Sequence, residues 1–107
     1  MSEITFNIKA KDDLVLKVSP NGIDSWDELG IVASDTSVWL CVFTDSQPRP
    51  YSLSLSKKYG NTETLIGNIK YNIPFRVILP SSGYLIFEAT WTYQNQTKKL
   101  NNVSVNI

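Results

Sequence analysis

The only cysteine in this 107-residue chain, Cys41, lies inside its most apolar run, the segment SVWLCVFTD at 37–45. A thiol there can be a nucleophile, a redox centre, a metal ligand or a small buried hydrophobic group. Nucleophilic or redox chemistry requires a nearby base or cation, but the chain has no histidine and the sequence neighbours of Cys41 are apolar. Because apolar surroundings raise the pKa of a thiol, we expect Cys41 to be buried and unreactive. A single cysteine leaves only an intermolecular disulfide open.

The absence of histidine also restricts catalysis more broadly. It excludes Ser-His-Asp and Cys-His catalysis within the chain and removes the most common transition-metal ligand. A carboxylate pair can hydrolyse a glycosidic bond, but the sequence does not place two of its ten acidic residues across a cleft. No P-loop, nucleophile-elbow or dinucleotide-binding motif is present. We therefore predict that the protein is not an enzyme and uses no cofactor.

Carboxylates cluster at 24–28, where Asp24, Asp27 and Glu28 lie in a segment rich in turn residues. Loop carboxylates suit calcium, which takes about six to eight oxygen ligands. The spacing matches no EF-hand, so a calcium site here would need ligands from another loop. The alternative is that these side chains cap and solvate the loop. The sequence leaves the two interpretations open, and we assign no metal site.

Aromatic residues make up 11% of the chain, and several of them lie beside polar turns. The segments KKYGNT (57–62) and WTYQNQTKK (91–99) combine aromatic rings with amide side chains, as sugar-binding surfaces do. Cross-strand packing and ordinary turn chemistry are the alternative explanation. A third segment, DSQPRPYS (45–52), is a candidate contact loop and a candidate crossover between sheets, and it can be both at once. The candidate contact residues are Trp26, Arg49, Tyr51, Tyr59, Trp91, Tyr93 and Asn95.

Charge and hydropathy exclude two classes of partner. Ten basic residues balance ten acidic ones, so no overall field attracts nucleic acid, and we expect none to bind. No window approaches the ~18 apolar residues of a membrane span, so we expect no membrane insertion. The N-terminal segment has no apolar stretch of signal-peptide length. We therefore expect a soluble domain, and its compartment stays open.

Strands must position these side chains, because period-two alternation between turn signals runs through the whole sequence. The run at 37–44 is apolar at almost every position, which predicts a central strand with both faces covered. We expect a hairpin turn at 58–61, a bulge at Gly67, the longest strand at 81–93 and one helical turn within 25–28. Strands are predicted at 4–10, 14–18, 31–34, 37–44, 51–57, 62–69, 74–80, 81–93 and 100–107.

The segment LPSSGYLIFEAT at 79–90 resembles the corner between strands E and F of immunoglobulin-like and fibronectin type III-like domains. Pro80 and Gly83 precede an aromatic residue that opens the strand, and Tyr84 is the candidate tyrosine-corner residue. Trp39 is the candidate for the buried tryptophan of such domains. Two departures stand out: the chain has no inter-sheet cysteine pair, and Tyr84 alternates opposite to the apolar positions of its strand.

The resemblance implies a single immunoglobulin-like antiparallel β-sandwich over residues 1–107, with about seven to nine short strands. For such a domain we predict a non-enzymatic interaction or structural module that binds another protein, or copies of itself, through loops or an edge strand. A phage virion accessory protein, an adhesin-type domain and an inhibitor are examples. The alternative is a lectin or carbohydrate-binding module that uses exposed Trp and Tyr rings with Asn and Gln side chains to bind a glycan.

Overall fold

The computed structural model describes residues 14–44, 52–93 and 95–107. The predicted strand at 4–10 lies outside the described residues, as do Arg49 and Tyr51 of the 45–52 segment. The described part is all-β and contains no helix, which confirms the predicted fold class. Its strands are β1 (Val15–Ser19), β2 (Gly30–Val32), β3 (Ser37–Phe43), β4 (Ser52–Tyr59), β5 (Thr62–Ile69), β6 (Phe75–Ile78), β7 (Tyr84–Tyr93) and β8 (Gln96–Asn106).

Two sheets form, compatible with a single sandwich. One has three strands in the order β1-β3-β6, and the other has five in the order β2-β8-β7-β4-β5. β3 is central in its sheet, as its apolar sequence predicts. All pairings are antiparallel except that of β2 with β8, which is parallel and sets Ile31 opposite Val105. The strands are therefore paired antiparallel, as predicted, except at this one short edge strand.

The core lies between the inner faces of the sheets, because alternate residues of each strand point to the same face. Phe87 in β7 and Leu40 in β3 are among the largest fully buried side chains. Burying a side chain of this size stabilises the fold by about 1.5–3 kcal/mol relative to exposing it. Other buried core residues are Leu16, Val18, Val38, Val42, Leu53, Leu55, Ile69, Val77, Leu79, Leu85, Ala89, Trp91, Val103 and Val105.

The outer face of the three-stranded sheet is covered by the segment 20–29. Trp26 packs edge-to-face on Phe43, with ring centroids 5.0 Å apart and an interplanar angle of 76°. Gly22 lies against the ring of Trp39, where an added Cβ would stand 2.7 Å from ring carbons. Cys41, on the same strand between these two aromatic residues, is fully buried although it does not belong to the core cluster. The expectation that both faces of β3 are covered is confirmed.

Side-chain hydrogen bonds hold this covering segment together. The Ser19 hydroxyl is fully buried, donates to the Asp24 carbonyl and accepts from the Gly22 N–H at 3.0 Å. Asn21 Oδ1 accepts from the N–H groups of Ile23 and Asp24 at 2.9 and 3.0 Å. Its Nδ2 donates to Asp24 Oδ1 at 2.7 Å. Such Asx-type bonding is an alternative to helix formation.

The expected helical turn at 25–28 is wrong. Ser25 has a φ of 60°, in the left-handed region, which interrupts any right-handed turn. Asp27 instead forms an isolated bridge with Val18, with backbone N···O distances of 2.9 and 2.8 Å. The segment is thereby tied to the end of β1.

Two asparagine side chains each bond both the N–H and the carbonyl of one backbone residue, as a neighbouring strand would. Asn101 Oδ1 accepts from the Leu16 N–H, and its Nδ2 donates to the Leu16 carbonyl, both at 2.8 Å. Asn72 bonds the N–H and the carbonyl of Thr44 in the same way, at 3.0 and 3.2 Å. The first of these pairs joins β8 in one sheet to β1 in the other.

The hairpin between β4 and β5 places two residues, Gly60 and Asn61, between the paired residues Tyr59 and Thr62. Gly60 has a φ of 63°, as the first central residue of a type II′ turn requires. The predicted turn at 58–61 is thus confirmed in position.

The predicted bulge is also confirmed. Leu55 pairs with Gly67 and Ser56 with Leu65, so β5 has one extra residue at that point. One smaller expectation is wrong: β8 has 11 residues and β7 has 10, so the longest described strand is β8.

Candidate functional site

Exposed apolar side chains gather around the β4–β5 hairpin. Tyr59 ends β4, Tyr84 opens β7 and Ile78 ends β6, and their side chains are 46%, 54% and 59% exposed. We call these three residues the hairpin rim. Leu65, on the outer face of β5 beside them, is also exposed. A second group, comprising Ile23, Leu29 and Val32, lies on the covering segment and β2.

Tyr59 is held firmly at the centre of the rim. Its hydroxyl donates to the Ser82 carbonyl at 2.9 Å. Its ring lies over Gly83, where an added Cβ would stand 2.5 Å from ring carbon Cε1. The tyrosine that ties down this corner therefore comes from β4, and the candidate Tyr84 instead points its ring outward. The tyrosine-corner assignment of Tyr84 is corrected accordingly.

Two shallow grooves meet at Tyr59. One, of about 560 Å³, lies on the outer face of the five-stranded sheet and is lined by Lys58, Tyr59, Gly60, Tyr84 and Ile86. The other, of about 420 Å³, opens between the sheets; its lining residues include Lys57, Tyr59, Thr64, Ile78 and Pro80. The rim therefore offers apolar surface flanked by two lysines.

The predicted contact residues do not lie together in the structure. Trp91 is only 4% exposed, because it faces the core on β7. Trp26 is packed on Phe43, on the outer face of the other sheet. Asn95 lies in the β7–β8 turn with a φ of 65°, and Tyr93 ends β7, at the opposite end of that ~30 Å strand from Tyr59. Of the described candidates, only Tyr59 lies at the rim.

The other tryptophan assignment changes as well. Trp39, proposed as the buried tryptophan, is half-buried on the outer face of β3, opposite Arg76 of β6. The tryptophan buried in the core is Trp91. Alternation within β7 already placed Trp91 with Leu85 and Phe87.

Cys41 has the environment expected of an unreactive thiol. Burial raises its pKa to about 11, and a hydrogen bond from the Asn72 backbone opposes this only in part. Its Sγ lies 3.8 Å from the Val42 carbonyl. The thiol is therefore almost entirely protonated at neutral pH.

Two of the three acidic residues at 24–28, Asp24 and Asp27, form hydrogen bonds within the local structure. Asp27 Oδ1 accepts from the Gly30 and Leu29 N–H groups at 2.8 and 2.7 Å, and these two bonds lower the pKa of its carboxyl. Asp24 accepts from Asn21. Within residues 14–44, 52–93 and 95–107, no group of three or more Cys, Asp or Glu side chains is arranged to hold a metal ion.

Sequence reasoning did not include Tyr84, Ile86 and Ile78 among the candidate contact residues. A signal for two of them was present, because alternation in β7 sets Tyr84 and Ile86 opposite the apolar positions that face the core. Only the pairing of β7 with β4 shows that these residues lie beside the hairpin, with Lys58 opposite Ile86.

Comparison with protein-family models, curated proteins and solved structures finds no match for this chain. In the described portion, no helix has the length and apolar character needed to cross a membrane.

Proposed function

We propose that the protein is a non-enzymatic interaction module with an immunoglobulin-like β-sandwich, and that it binds another protein through the hairpin rim. The observation that carries this proposal is the clustering of Tyr59, Ile78 and Tyr84, all exposed, around one rigid corner. A virion accessory protein, an adhesin-type domain or an inhibitor would each use such a surface.

Strand order supports the immunoglobulin-like assignment. In that architecture strands A, B and E share one sheet, and strands G, F and C share the other, with C′ added beside C in variable-type domains. The order β1-β3-β6 corresponds to A-B-E, and β8-β7-β4-β5 corresponds to G-F-C-C′. β2 then lies outside G as a short parallel strand.

The rigidity of the rim supports protein binding. Tyrosine is enriched among residues that contribute most to interface affinity. The Ser82 hydrogen bond and the Gly83 contact hold the Tyr59 ring in place, so less side-chain entropy is lost on binding. Lys57 and Lys58 supply a polar border around the apolar centre.

The non-enzymatic part of the proposal is supported by the available chemistry. The chain has no histidine, and its one thiol is buried with its pKa raised to about 11. Among the described residues that line the two grooves at Tyr59, none is a carboxylate.

Site-specific photo-crosslinking in cells that make the protein tests the rim. A photo-reactive phenylalanine analogue is placed at Tyr84, at Ile78 and, as the control, at exposed Gln96 near the opposite end of β7. We expect one protein species to be captured from both rim positions and not from position 96. Tyr59→Ser should reduce that capture about tenfold, as loss of a central interface tyrosine does. Equal capture at position 96, or no capture at the rim, would overturn the proposal.

A glycan is the second candidate ligand, since Tyr59 and Tyr84 line one groove together with Lys58. Aromatic rings stack on sugar faces, and an ammonium group would favour an acidic sugar. A glycan array probed with the purified chain separates this from protein binding. Saturable binding to one sugar class that is lost in Tyr84→Ser and retained in Gln96→Ser would favour the lectin.

A further inference from the structure

β5 is the longest of the four described strands that lie at sheet edges. It has eight residues, and β1, β6 and β2 have five, four and three. It contains no proline and no lysine, two residue types that usually protect an edge from pairing. Its only charged side chain is Glu63. Among residues 14–44, 52–93 and 95–107, no strand pairs with the outer edge of β5.

The hairpin determines which backbone groups of β5 face this open edge. In a two-residue hairpin the closing pair, here Tyr59 and Thr62, exchanges hydrogen bonds, and alternate residues then turn their N–H and C=O outward. The extra residue at the bulge shifts the alternation by one position. The residues in outward-facing positions are Glu63 and Leu65 before the bulge and Asn68 and Lys70 after it.

Only one two-fold antiparallel register sets each of these four residues opposite another of them. It pairs Glu63 with Lys70 and Leu65 with Asn68 of a second copy, and the two bulges meet at the axis. A bulge usually turns an edge strand away from partners. Here the bulge residues of both strands, Ile66 and Gly67, lie at the axis. The residue pairs on the two sides of the axis therefore keep the same register.

Charge and exposure agree with this register. The pair Glu63–Lys70 occurs twice across the two-fold axis, and each time opposite charges face each other. Among the described residues the one ion pair joins Lys99 and Glu88. Glu63 lies opposite Lys58 in the β4–β5 register without forming an ion pair with it, and Lys70 forms none with the described residues. The Lys70 carbonyl already accepts weakly from the Ile73 N–H at 3.4 Å, so Lys70 contributes mainly through its ammonium group. Leu65, 67% exposed, would lie opposite Asn68 of the second copy, beside the two-fold axis.

We infer that β5 is a self-association edge: two copies of this chain pair their β5 strands antiparallel, with Glu63 opposite Lys70, and their five-stranded sheets join into one. This inference goes beyond rim binding and uses different residues. The occupant of the edge is a second copy, because the complementary charges reside on the same strand and its end.

Sedimentation velocity of the full chain over a concentration series tests the inference. We expect the 12.1 kDa monomer to convert to a species of twice that mass as concentration rises. Glu63→Lys and Lys70→Glu should each weaken the dimer about tenfold, because each sets like charges opposite each other. The double variant Glu63→Lys/Lys70→Glu should restore wild-type dimerisation. Asp35→Lys, an equal charge change at an exposed position in another loop, is the control.

Cysteine crosslinking tests the register itself. Chains with Leu65→Cys mixed with chains carrying Asn68→Cys should form a disulfide-linked heterodimer, because residues opposite each other in an antiparallel pair have Cα atoms about 4.5–5.5 Å apart. Either variant alone should crosslink poorly. The inference would be overturned if the chain stayed at monomer mass at every concentration. It would also be overturned if neither Glu63→Lys nor Lys70→Glu weakened the dimer. Tyr84→Ser should leave the dimer intact, so failure of rim binding is distinguishable from failure of this edge.

Discussion

Cys41 shows how one side chain can be buried without belonging to the core. It lies on the outer face of β3 between Trp39 and Phe43, the two residues that the covering segment contacts. Free cysteine behaves there as a small hydrophobic group. The reactivity of its thiol therefore reports whether this buried site has become accessible to solvent.

We predict that native Cys41 reacts slowly with a thiol reagent. Its pKa of about 11 lies two units above the ordinary value of 9.0, so at pH 8 the thiolate fraction is about 100-fold lower than for a free thiol. Labelling followed by absorbance should be slow in buffer and fast in urea. Fast labelling of the folded protein at neutral pH would contradict the buried assignment.

The same thiol makes stability depend on pH. The folded chain holds the Cys41 proton more tightly than the unfolded chain, so its contribution is complete below about pH 9 and is lost as pH rises through 11. Urea unfolding midpoints should therefore fall more steeply between pH 9 and 11 in the wild type than in Cys41→Ala. Parallel curves for the two proteins would argue against a raised pKa.

Substitution of Asn101 should have a larger effect on stability. Asn101→Ala leaves the Leu16 N–H and carbonyl without their partner, and we expect it to lower the free energy of unfolding by about 1–3 kcal/mol. Asn102→Ala is the matched control, because Asn102 is exposed on the same strand and should change stability by less than about 0.5 kcal/mol. Equal losses in the two variants, measured by urea denaturation, would show that Asn101 does not join the sheets.

At the scale of strands and turns, the corner at Gly83 depends on a close contact. Gly83 has a φ of 128°, and an added Cβ would meet the Tyr59 ring. Gly60, with a φ of 63°, has no neighbour within 4 Å of an added Cβ. Alanine at Gly60 would therefore introduce backbone strain alone, whereas alanine at Gly83 would introduce both backbone strain and steric overlap with Tyr59.

We predict that Gly83→Ala destabilises the protein more than Gly60→Ala. Backbone strain alone should account for about 1–2 kcal/mol at Gly60, and the contact with Tyr59 adds to the strain at Gly83. Thermal unfolding measures both variants. The Gly83→Ala/Tyr59→Ala double variant should be less destabilised than the sum of its single changes, and strict additivity would exclude the steric contact.

Strand positions were largely predictable because they depend on local patterns. The predicted strand at 62–69 coincides with β5, and the bulge at Gly67 follows from a glycine inside a strand pattern. The parallel pairing of β2 with β8 was not predictable, because Ile31 and Val105 are far apart in sequence and neither segment encodes the direction of its partner. The predicted helical turn at 25–28 does not form, because Ser25 has a φ of 60° and Asp27 pairs with Val18 instead.

For the candidate site too, local patterns could be interpreted from the sequence, but the pairing of distant strands could not. Alternation in β7 already assigned Trp91 to the core, but its nearness to the polar QNQT turn suggested exposure. Tyr59 was correctly singled out as a surface residue by its place beside a turn, at 46% exposure. Its contacts with Ser82 and Gly83 required the fold, because they depend on how β4 pairs with β7.

For the whole molecule, sheet topology predicts the folding rate. Among the described strands, only β4–β5 and β7–β8 are neighbours joined by short turns, and the other pairings join strands far apart in sequence. Sandwiches with such non-local pairing fold in about milliseconds to seconds. Stopped-flow tryptophan fluorescence, dominated by burial of Trp91, should show this range on refolding. Microsecond folding would be inconsistent with the observed strand order.

The Asn21-Gly22 dipeptide has a consequence for the chemical ageing of the protein. Asparagine followed by glycine deamidates readily in flexible chains, because the glycine nitrogen attacks the side-chain amide carbon and closes a succinimide ring. Here the Gly22 nitrogen donates to Ser19, and the Asn21 amide is held by two backbone donors and a carboxylate. In stored samples, the one-dalton mass increase of deamidation at Asn21 should therefore occur only in molecules whose covering segment has opened. The rate of this mass increase then reports how often the segment unfolds locally.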